Sequence, residues 1–504
     1  MTKQQRLVLV VSILASFVAF LDGAIVNVAL PAIQRELGGG LAAQQWIVDG
    51  YLLTLGSLIL IAGSLSDLLG RKKILTLGLW GFGIASLLCA GAPNSTSLII
   101  FRALQGIAGA LLVPSSLALI ISTFSGPAQG KAIGSWTAWT GISFILGPLV
   151  GGVLVDQASW RWIFAINVLP IAITLYLLRK VKAAKDTKSD TSVDFVGALL
   201  CALGLGGAVY ALIEQQHYGW GSPRIYVPLI AGVALLAGFL LYEKRTKDPM
   251  LPLSLFRNHN FSVGNIATLS VYAGLTASFF LLVVFLQQVS GFSALAAGLA
   301  GVPVTLILFL LSPKTGELAG KYGPRLFMGF GPIVASVGFL LMLRLGTHVN
   351  YWSQLFLPIV IFGVGLAITV APLTSAILGD VPPDKAGIAS AINNAVARIA
   401  GLLAVAAVGA VVAAQFGSNL DKFSKAWQLD PVAIGLSKQT PLVITPPKPY
   451  DHKAYPLDGT PQIYKQGLES ASVSAFHTGI LTIAGLLIAG GVVSLIGIRN
   501  PTQK

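Results

Sequence analysis

Hydrophobic residues along this chain occur in runs of about 20, the length that crosses a hydrocarbon core roughly 30 Å thick. Each run should form a helix, because a backbone in lipid must satisfy its own hydrogen bonds. The fourteen runs lie at about 7–31, 42–62, 74–92, 97–122, 132–154, 162–179, 194–214, 225–243, 262–288, 295–313, 326–345, 353–376, 386–415 and 473–498. The pattern predicts an all-α integral membrane protein with fourteen transmembrane helices.

The composition supports a lipid-embedded chain. Only 10% of the 504 residues are charged, against about 25% in a soluble domain. The net charge of +14 would suggest nucleic acid in a soluble protein. Here the basic residues lie in short connections between apolar runs, so we expect membrane lipids as neighbours and no nucleic-acid partner. Cys89 and Cys201 lie inside apolar runs, which argues against a disulfide framework or a metal site.

The distribution of Lys and Arg predicts the orientation of the chain. An even number of spans places both termini on one side, and the connections on that side carry most of the basic residues. The short loops opposite carry only Arg35, Arg161, Arg224 and Arg344. Both termini are therefore predicted to be cytoplasmic. The first run is interpreted as a retained span, because it contains Asp22 and has no cleavage pattern.

An internal repeat divides the chain. The segment from Gly63 to Arg71 follows span 2, and a similar segment from Gly316 to Pro324 follows span 10. We predict six-helix bundles at 1–180 and 261–504, joined by a linker at 181–260 that contains spans 7 and 8. The second bundle includes a Pro- and Lys-rich outer loop at about 416–472, whose composition favours partial disorder. Paired repeats around a central site are typical of secondary transporters.

Charges inside predicted spans are candidates for function, since each costs about 2.5–3.5 kcal/mol at the bilayer centre. Asp22 is the strongest candidate. Burial disfavours the charged form of a carboxyl, so such a group can load and release a proton as its exposure changes. A structural carboxyl, hydrogen-bonded to a neighbouring helix, is the alternative. Asp49 shares a helix face with Trp46, and a carboxylate beside an aromatic ring suits a lipophilic cation; the alternative is an interfacial position.

Arg102 lies in span 4 on one face with Gln105. It could tune or neutralise a cavity carboxyl; the alternative is an arginine that snorkels to the interface. Arg398, with the pair Asn393 and Asn394, forms a weaker set that an interhelical contact explains equally well. Glu214, at the end of span 7, is expected to be exposed at the outer surface.

Two glycine-containing segments are candidates for conformational roles. The first, in the predicted loop after span 2, contributes Gly63, Asp67, Gly70 and Arg71; a charged cytoplasmic loop is the alternative. The second, in span 5, contributes Gly147, Pro148, Gly151 and Gly152. Glycines let helices approach closely, so ordinary packing explains the second set, and its packing could also seal the cavity against leak.

No nucleophile elbow, phosphate-binding loop or metal-ligand cluster is found in the sequence. We therefore expect neither an enzyme nor a cofactor, and an ion gradient is the expected source of energy.

Several of these segments together resemble the major facilitator superfamily, and within it the fourteen-span drug:proton antiporters. The resemblance covers nearly the whole chain outside 416–472. Its motifs are Leu21–Pro31, Gln45–Tyr51, Gly63–Lys73, Arg102–Gly106, Gly147–Gly152 and Trp160–Pro170. The chain departs from the family pattern at Ala24, Leu68 and Ser143, which leaves the coupling details open.

The resemblance implies proton-coupled multidrug efflux, and hence antibiotic resistance, in a bacterial plasma membrane. Arg102 corresponds to an arginine tied to proton transfer, the glycines of span 5 are associated with antiporters, and Asp49 occurs in pumps for cationic antiseptics and dyes. We therefore predict a monomer that exchanges protons, through Asp22, Asp49 and Arg102, for a lipophilic and cationic small molecule. The predicted substrate-binding residues are Asp22, Asn27, Trp46, Asp49, Tyr51, Gln105, Trp136, Trp139, Phe285 and Gln288.

Three alternatives stay open at this stage. The chain could export a lipid, a glycolipid or another metabolite, because the same subfamily contains such exporters. It could be a proton symporter, against which only the motif of span 5 argues. A non-transporting receptor or scaffold is a third possibility, although a scaffold needs neither the carboxylates nor the repeat.

Overall fold

A computed structural model describes residues 1–182, 193–379, 381, 386–427, 429, 431–444 and 460–500. Fourteen helical segments within these residues are long and apolar enough to cross a membrane, which confirms the predicted number. They form two bundles of six spans, with two further helices between the bundles in sequence, as the repeat predicted. Because the number of spans is even, the first span begins and the last span ends at the same end of the molecule, and we name the opposite end the distal end.

The first six spans contain eight helices because two spans are interrupted. Short breaks at Ile142 and at Ile166–Asn167 divide spans 5 and 6. The helices are α1 (Lys3–Leu37), α2 (Gly40–Leu69), α3 (Arg71–Ala90), α4 (Ser95–Thr123), α5 (Pro127–Gly141), α6 (Ser143–Gln157), α7 (Trp162–Ala165) and α8 (Val168–Lys180).

The linker pair and the second bundle follow. Helices α9 (Phe195–Tyr218) and α10 (Pro223–Glu243) precede a 3₁₀ helix at Leu253–Arg257. The second bundle contains α11 (His259–Gln288), α12 (Ala294–Ala300), α13 (Val302–Tyr322), α14 (Pro324–Leu341), α15 (Phe356–Gly379), α16 (Ala386–Trp427), α17 (Pro431–Lys438) and α18 (Thr460–Gly497). Helices α12 and α13 together form one span.

The predicted outer loop at 416–472 is largely helical where the structure describes it. Helix α16 continues to Trp427 and α18 begins at Thr460, so both extend well beyond the predicted span boundaries. Between them α17 carries an ion pair, in which Lys438 Nζ lies 2.5 Å from Asp421 Oδ1. The predicted spans stopped where the sequence becomes polar. A helix can nevertheless continue into water when its polar end packs on neighbouring helices.

The turn between spans 2 and 3 is shorter than predicted. Helix α2 extends to Leu69 and α3 starts at Arg71, so only Gly70 separates two helices within the segment predicted as a loop. Gly70 has φ 96° and its repeat equivalent Gly323 has φ 88°, a region that glycine alone enters at low cost. The two glycines therefore make the same abrupt turn in the two bundles. The side chain of Asp67 lies outside the described part of the structure.

Helix α9 lies at the seam between the bundles, where it contacts both α2 and α16, whereas α10 packs on α9. Two hydrogen bonds attach α9 to α2. Trp46 Nε1 donates to Glu214 Oε1 at 2.8 Å, and Gln216 Nε2 donates to Gln45 Oε1 at 2.8 Å. Glu214 was predicted to be exposed, but it is partly buried because it accepts from Trp46 and pairs with His217.

The described side-chain hydrogen bonds between the two bundles lie at the distal end. Gln45 Nε2 donates to the carbonyls of Val405 and Ala406, and Gln287 Nε2 donates to the carbonyl of Val28. Asp156, at the end of α6, accepts the backbone N–H groups of Ala294 and Leu295 at 3.0 and 2.8 Å, so it caps α12 across the interface. The bundles are therefore closed against each other at this end.

Candidate transport site

A buried ion pair joins α1 to α4. Asp22 Oδ2 lies 2.5 Å from Arg102 Nη1, and the two side chains are 0% and 2% exposed. The guanidinium also donates through Nε to the carbonyl of Ile47 on α2, and it lies 4.3 Å from the centre of the Tyr51 ring. Arg102 therefore ties three helices together and does not snorkel to the membrane surface.

The other carboxylate oxygen of Asp22 accepts hydrogen bonds from two side-chain amides. Asp22 Oδ1 accepts from Gln105 Nε2 at 2.9 Å and from Asn167 Nδ2 at 3.0 Å. Gln105 also accepts from Arg102 at 2.6 Å, and both amides contact Ser86 Oγ. Every oxygen of Asp22 is thus hydrogen-bonded, which offsets part of the cost of burying the charge.

Local helix geometry brings these residues together. Arg102 and Gln105 are three residues apart on α4 and so share one face. Asn94 begins that helix by accepting the backbone N–H of Ser97 at 2.8 Å. Gly106 follows on α4 against the backbone of Tyr51, where a methyl group would overlap the carbonyl oxygen. The absence of a side chain at Gly106 lets α2 and α4 approach closely enough for the Arg102 contacts.

A cavity of about 330 Å³ lies between the two bundles beside this ion pair. Its wall includes Arg102 and Tyr51 from the first bundle and Arg398 from the second. Five phenylalanines supply much of the remaining surface, namely Phe20, Phe144, Phe279, Phe339 and Phe362. An apolar pocket with several aromatic side chains and few polar groups is the usual form of a site for a small organic ligand.

Three other predicted residues also lie at or near this centre. Asn27 and Pro148 line the cavity, and Gln105 belongs to the hydrogen-bonded cluster around Asp22. The structure therefore places Asn27, Gln105 and Pro148 at the cavity or beside the ion pair, while their predicted roles stay predictions.

Asp49 does not line the cavity, contrary to the prediction that it meets the substrate there. Its side chain is 0% exposed, and both carboxylate oxygens are without a hydrogen-bond partner among the described residues. It shares a face of α2 with Gln45, which contacts α16, and with Trp46, which contacts α9. Asp49 is therefore placed at the junction of α2 with those two helices.

Several predicted wall residues lie elsewhere. Trp46 bonds to Glu214 in the linker pair, and Trp136 donates to Ser16 Oγ at 3.1 Å. Phe285 is fully buried and stacks on Phe476, with ring centroids 3.7 Å apart. Trp139 is 56% exposed and is not part of the cavity wall.

Gln288 is the last of these residues. Its Nε2 lies 3.4 Å from Gln34 Oε1, in a contact between the bundles at the distal end. Hydrophobicity placed these side chains on helices correctly, but the direction of each one depends on packing that a single sequence does not reveal.

The glycines of span 5 divide into two packing roles. A methyl group on Gly147 or Gly151 would meet Ala24 or Ile25 of α1, within the same bundle. A methyl group on Gly152 would overlap the backbone of Leu295, in the other bundle. Gly152 therefore allows the close contact that closes the distal end.

Sequence reasoning did not assign Asn167 or Ser86 to the ion-pair cluster, although Asn167 lies in the motif Trp160–Pro170, and it ranked Arg398 as a weaker candidate. Asn167 is a buried amide in a mostly apolar span, and an amide in that setting was the available signal. Ser86 gives no such signal, because serine is common in membrane helices. Arg398 lines the cavity directly.

Comparisons with solved structures show the fold. A bacterial homologue of the human lysosomal transporter Spinster, in an inward-facing and unoccupied conformation, aligns over 100% of both chains with a TM-score of 0.67 and 16% identity. A D-xylose–proton symporter aligns over 99% of both chains with a TM-score of 0.61 and 14% identity.

Sequence comparisons identify nearer relatives. The chain is 33% identical over 433 residues to the multidrug resistance protein Stp of Mycobacterium tuberculosis, covering 86% of this chain and 80% of that protein. It is 34% identical to the puromycin resistance protein of Streptomyces alboniger, covering 80% and 81%. It is 35% identical to the methylenomycin A resistance protein of Bacillus subtilis, covering 80% and 87%. Residues 12–405 match the model of the Major Facilitator Superfamily, and the chain therefore belongs to this family of membrane transporters.

Proposed function

We propose that this protein exports lipophilic organic compounds, including antibiotics, in exchange for protons by alternating access. The observation that carries the proposal is the fully buried pair of Asp22 and Arg102 beside a cavity between two bundles. A carboxylate there is costly to maintain in a membrane, so intramembrane carboxylates usually take part in function. The relatives named for resistance to multiple drugs, puromycin and methylenomycin A support drugs as the transported class.

In this mechanism Asp22 carries the proton. When ionised it pairs with Arg102; when protonated it loses that pairing and can donate a hydrogen bond instead. The change alters contacts between α1 and α4, and α1 also faces the second bundle. Proton uptake therefore biases how the bundles meet, and release on the other side reverses the bias.

The closed distal end is the extracytoplasmic end in this proposal, because the basic connections lie at the end that holds the termini. The described structure then corresponds to a state closed toward the outside. Opening requires separation of the contacts at Gln45, Gln287 and Asp156. Substrate release outside and proton entry from outside both follow that separation.

The predicted preference for cations rested on Asp49 meeting the substrate. Because Asp49 does not line the cavity, the proposal covers lipophilic compounds without requiring a positive charge. Asp49 retains a predicted role in proton coupling that is separate from ligand contact.

The test uses purified protein in proteoliposomes that contain a pH-sensitive dye. A pH gradient is imposed, puromycin and methylenomycin A are added in turn, and the response of the wild type is compared with that of the Asp22→Asn variant. Proton movement triggered by at least one of these compounds in the wild type, and absent in the variant, is the expected result. A panel that produces no proton movement with folded protein would contradict the proposal.

The variant needs its own control. Asp421→Asn removes a carboxylate from the exposed pair with Lys438, far along α16. It should leave proton movement unchanged. Equal loss in both variants would mean that the Asp22 effect is not specific to coupling.

A further inference from the structure

Arg398 places a positive charge inside a candidate membrane span. It lies in the segment Ile388–Trp427 of α16, where a charge is costly unless it is paired or serves a transported species. It lines the central cavity and lies 5.2 Å from the centre of the Phe20 ring in the opposite bundle.

Arg398 differs from Arg102 in its protein partners. Arg102 has an ion pair with Asp22 and further hydrogen bonds to Gln105 and Ile47. Among the residues that the structure describes, Arg398 has no carboxylate partner and no hydrogen bond, only the contact with Phe20. Charges within membrane spans usually pair with one another or serve a transported species. The missing protein partner therefore indicates a ligand for the guanidinium.

The charges of the cavity wall have one sign. Arg102 and Arg398 are its only charged members, and neither Asp22 nor Asp49 belongs to the described wall. Because Asp22 neutralises Arg102, the wall retains the single positive charge of Arg398. A lipophilic cation would meet repulsion from that charge and would find no available carboxylate in the wall.

The neutral polar groups of the wall do not reverse this conclusion. Tyr51 donates its hydroxyl to the carbonyl of Ala19 at 3.4 Å. The amide nitrogen of Asn27 donates to the carbonyl of Gly23, and that of Asn394 donates to the carbonyl of Ser390. These donors contact their own helices or bundle, whereas the buried Oδ1 of Asn27 has no hydrogen-bond partner in the described structure. The wall also includes the hydroxyl-bearing residues Tyr272, Thr276 and Ser278, and Ser278 donates to the carbonyl of Gly274. Among the described residues of the wall, Arg398 is therefore the charged donor that has no hydrogen-bond partner in the protein.

We propose that the central cavity takes aromatic acids, whose carboxylate or acidic phenol pairs with Arg398, and that it disfavours lipophilic cations. The inference rests on the proposed export function and specifies its substrate class. A guanidinium matches a carboxylate through two parallel hydrogen bonds, and the phenylalanine-rich wall accommodates the ring system. A cavity of about 330 Å³ suits a compact drug-sized molecule.

Acid binding also explains how the cavity can close around its ligand. A guanidinium without a partner is costly to remove from water. A bound carboxylate neutralises it, so the loaded cavity carries no net charge while Asp22 remains paired with Arg102. The acid site and the proton site thus lie beside each other and use different arginines.

The test is an equilibrium binding measurement in detergent with three matched probes. These are anthracene rings that carry a carboxylate, a carboxamide or an aminomethyl group, and their fluorescence reports binding. Wild-type protein should bind the carboxylate about tenfold or more tighter than the ammonium probe, as expected for a hydrogen-bonded charge pair. Equal or tighter binding of the ammonium probe would overturn the proposal without any variant being made.

Variants then assign the preference to Arg398. Arg398→Gln should weaken carboxylate binding about tenfold and leave carboxamide binding nearly unchanged, whereas Arg398→Lys should retain part of the preference. The control is Arg344→Gln, which alters an exposed arginine at the end of another span. Unchanged carboxylate affinity in a folded Arg398→Gln protein would refute the assignment.

The binding result is independent of transport. It requires no proton gradient, so failure of proton-coupled export in proteoliposomes would leave the three-probe ranking intact. Conversely, proton movement driven by cations would support export while refuting the acid site. The two proposals can therefore fail separately.

Discussion

Asp22 and Arg102 are 80 residues apart in the sequence, yet Asp22 Oδ2 lies 2.5 Å from Arg102 Nη1 in a fully buried contact. A pair of this kind has two opposing energies, because desolvation of both charges is costly while their attraction in a low dielectric is strong. Removing one partner is therefore worse than removing both. This asymmetry makes the pair accessible to experiment.

We expect Arg102→Gln to lower the free energy of unfolding by about 3–5 kcal/mol, because it leaves a buried carboxylate without its cation. The double variant Asp22→Asn/Arg102→Gln should recover a substantial part of that loss. Unfolding in mixed detergent micelles, followed by circular dichroism, gives the four values of the cycle. Additive losses would show that the two groups are not coupled.

Replacing Asp49 should have the opposite effect on stability to replacing Arg102. Both of its oxygens are buried without a partner in the described structure, so Asp49→Leu should raise the free energy of unfolding by about 1–4 kcal/mol. Gln45→Leu, one turn earlier, removes hydrogen bonds to Val405 and Gln216 and should lower it by about 1–3 kcal/mol. The same unfolding assay compares them. A destabilised Asp49→Leu protein would indicate an unrecognised partner for the carboxylate.

The cap that Asp156 provides predicts a shift between conformations. Asp156→Ala removes the two acceptors of the α12 backbone. Loss of a helix cap costs about 1 kcal/mol, so the ratio of distally open to closed protein should rise about fivefold.

The measurement for this variant is the labelling rate of a cysteine introduced at Val28, which is buried at the closed end. A bulky hydrophilic maleimide is used after Cys89 and Cys201 have been replaced by Ala. Asp421→Ala breaks the ion pair between α16 and Lys438 of α17 and should leave the labelling rate unchanged. Equal rates for wild type and Asp156→Ala would show that the cap does not hold the distal end closed.

Two glycines of span 5 make a matched pair. Gly152→Ala should prevent full closure at the distal end, because the methyl group overlaps the backbone of Leu295. Gly141→Ala meets open space and should behave as wild type. In the same labelling assay we expect accelerated labelling at Val28 for Gly152→Ala alone. Faster labelling in both would point to a general loss of stability.

Membrane potential should distinguish acidic from neutral substrates if both proposals hold. Export of one carboxylate for one entering proton moves two charges, whereas export of an amide moves one. Each charge gains about 2.3 kcal/mol per 100 mV, so an inside-negative potential should favour the anthracene carboxylate more than the carboxamide. Potassium diffusion potentials in proteoliposomes provide the measurement. Equal responses would mean that the acid crosses in its neutral form.

The sequence predicts most of the fold because lipid leaves few choices. Fourteen apolar runs become fourteen spans, and the repeat identified Gly70 and Gly323 as equivalent turns, which their shared positive φ confirms. Helix boundaries were less predictable at the ends. The helical extensions of α16 and α18 depend on packing outside the apolar runs, and hydrophobicity does not report it.

The site was predictable in its charges and not in its contacts. Rarity in an apolar background marked Asp22, Asp49 and Arg102, since each charge is costly there. The rarity of a charge does not show which neighbours its side chain faces, so Asp49 and Arg102 looked alike in sequence. Arg102 is paired with Asp22 beside the cavity, whereas Asp49 lies between helices without a described partner.

Helix α9 is bonded to α2 through Trp46 and Gln45, and among the described residues it has no side-chain hydrogen bond to α16. If the two bundles rock, α9 should move with the first and slide along the second. The moving bodies are then unequal, with eight helical spans on one side and six on the other. The additional pair adds lipid-facing surface to one body only, so the surrounding bilayer should resist the motion of that body more strongly.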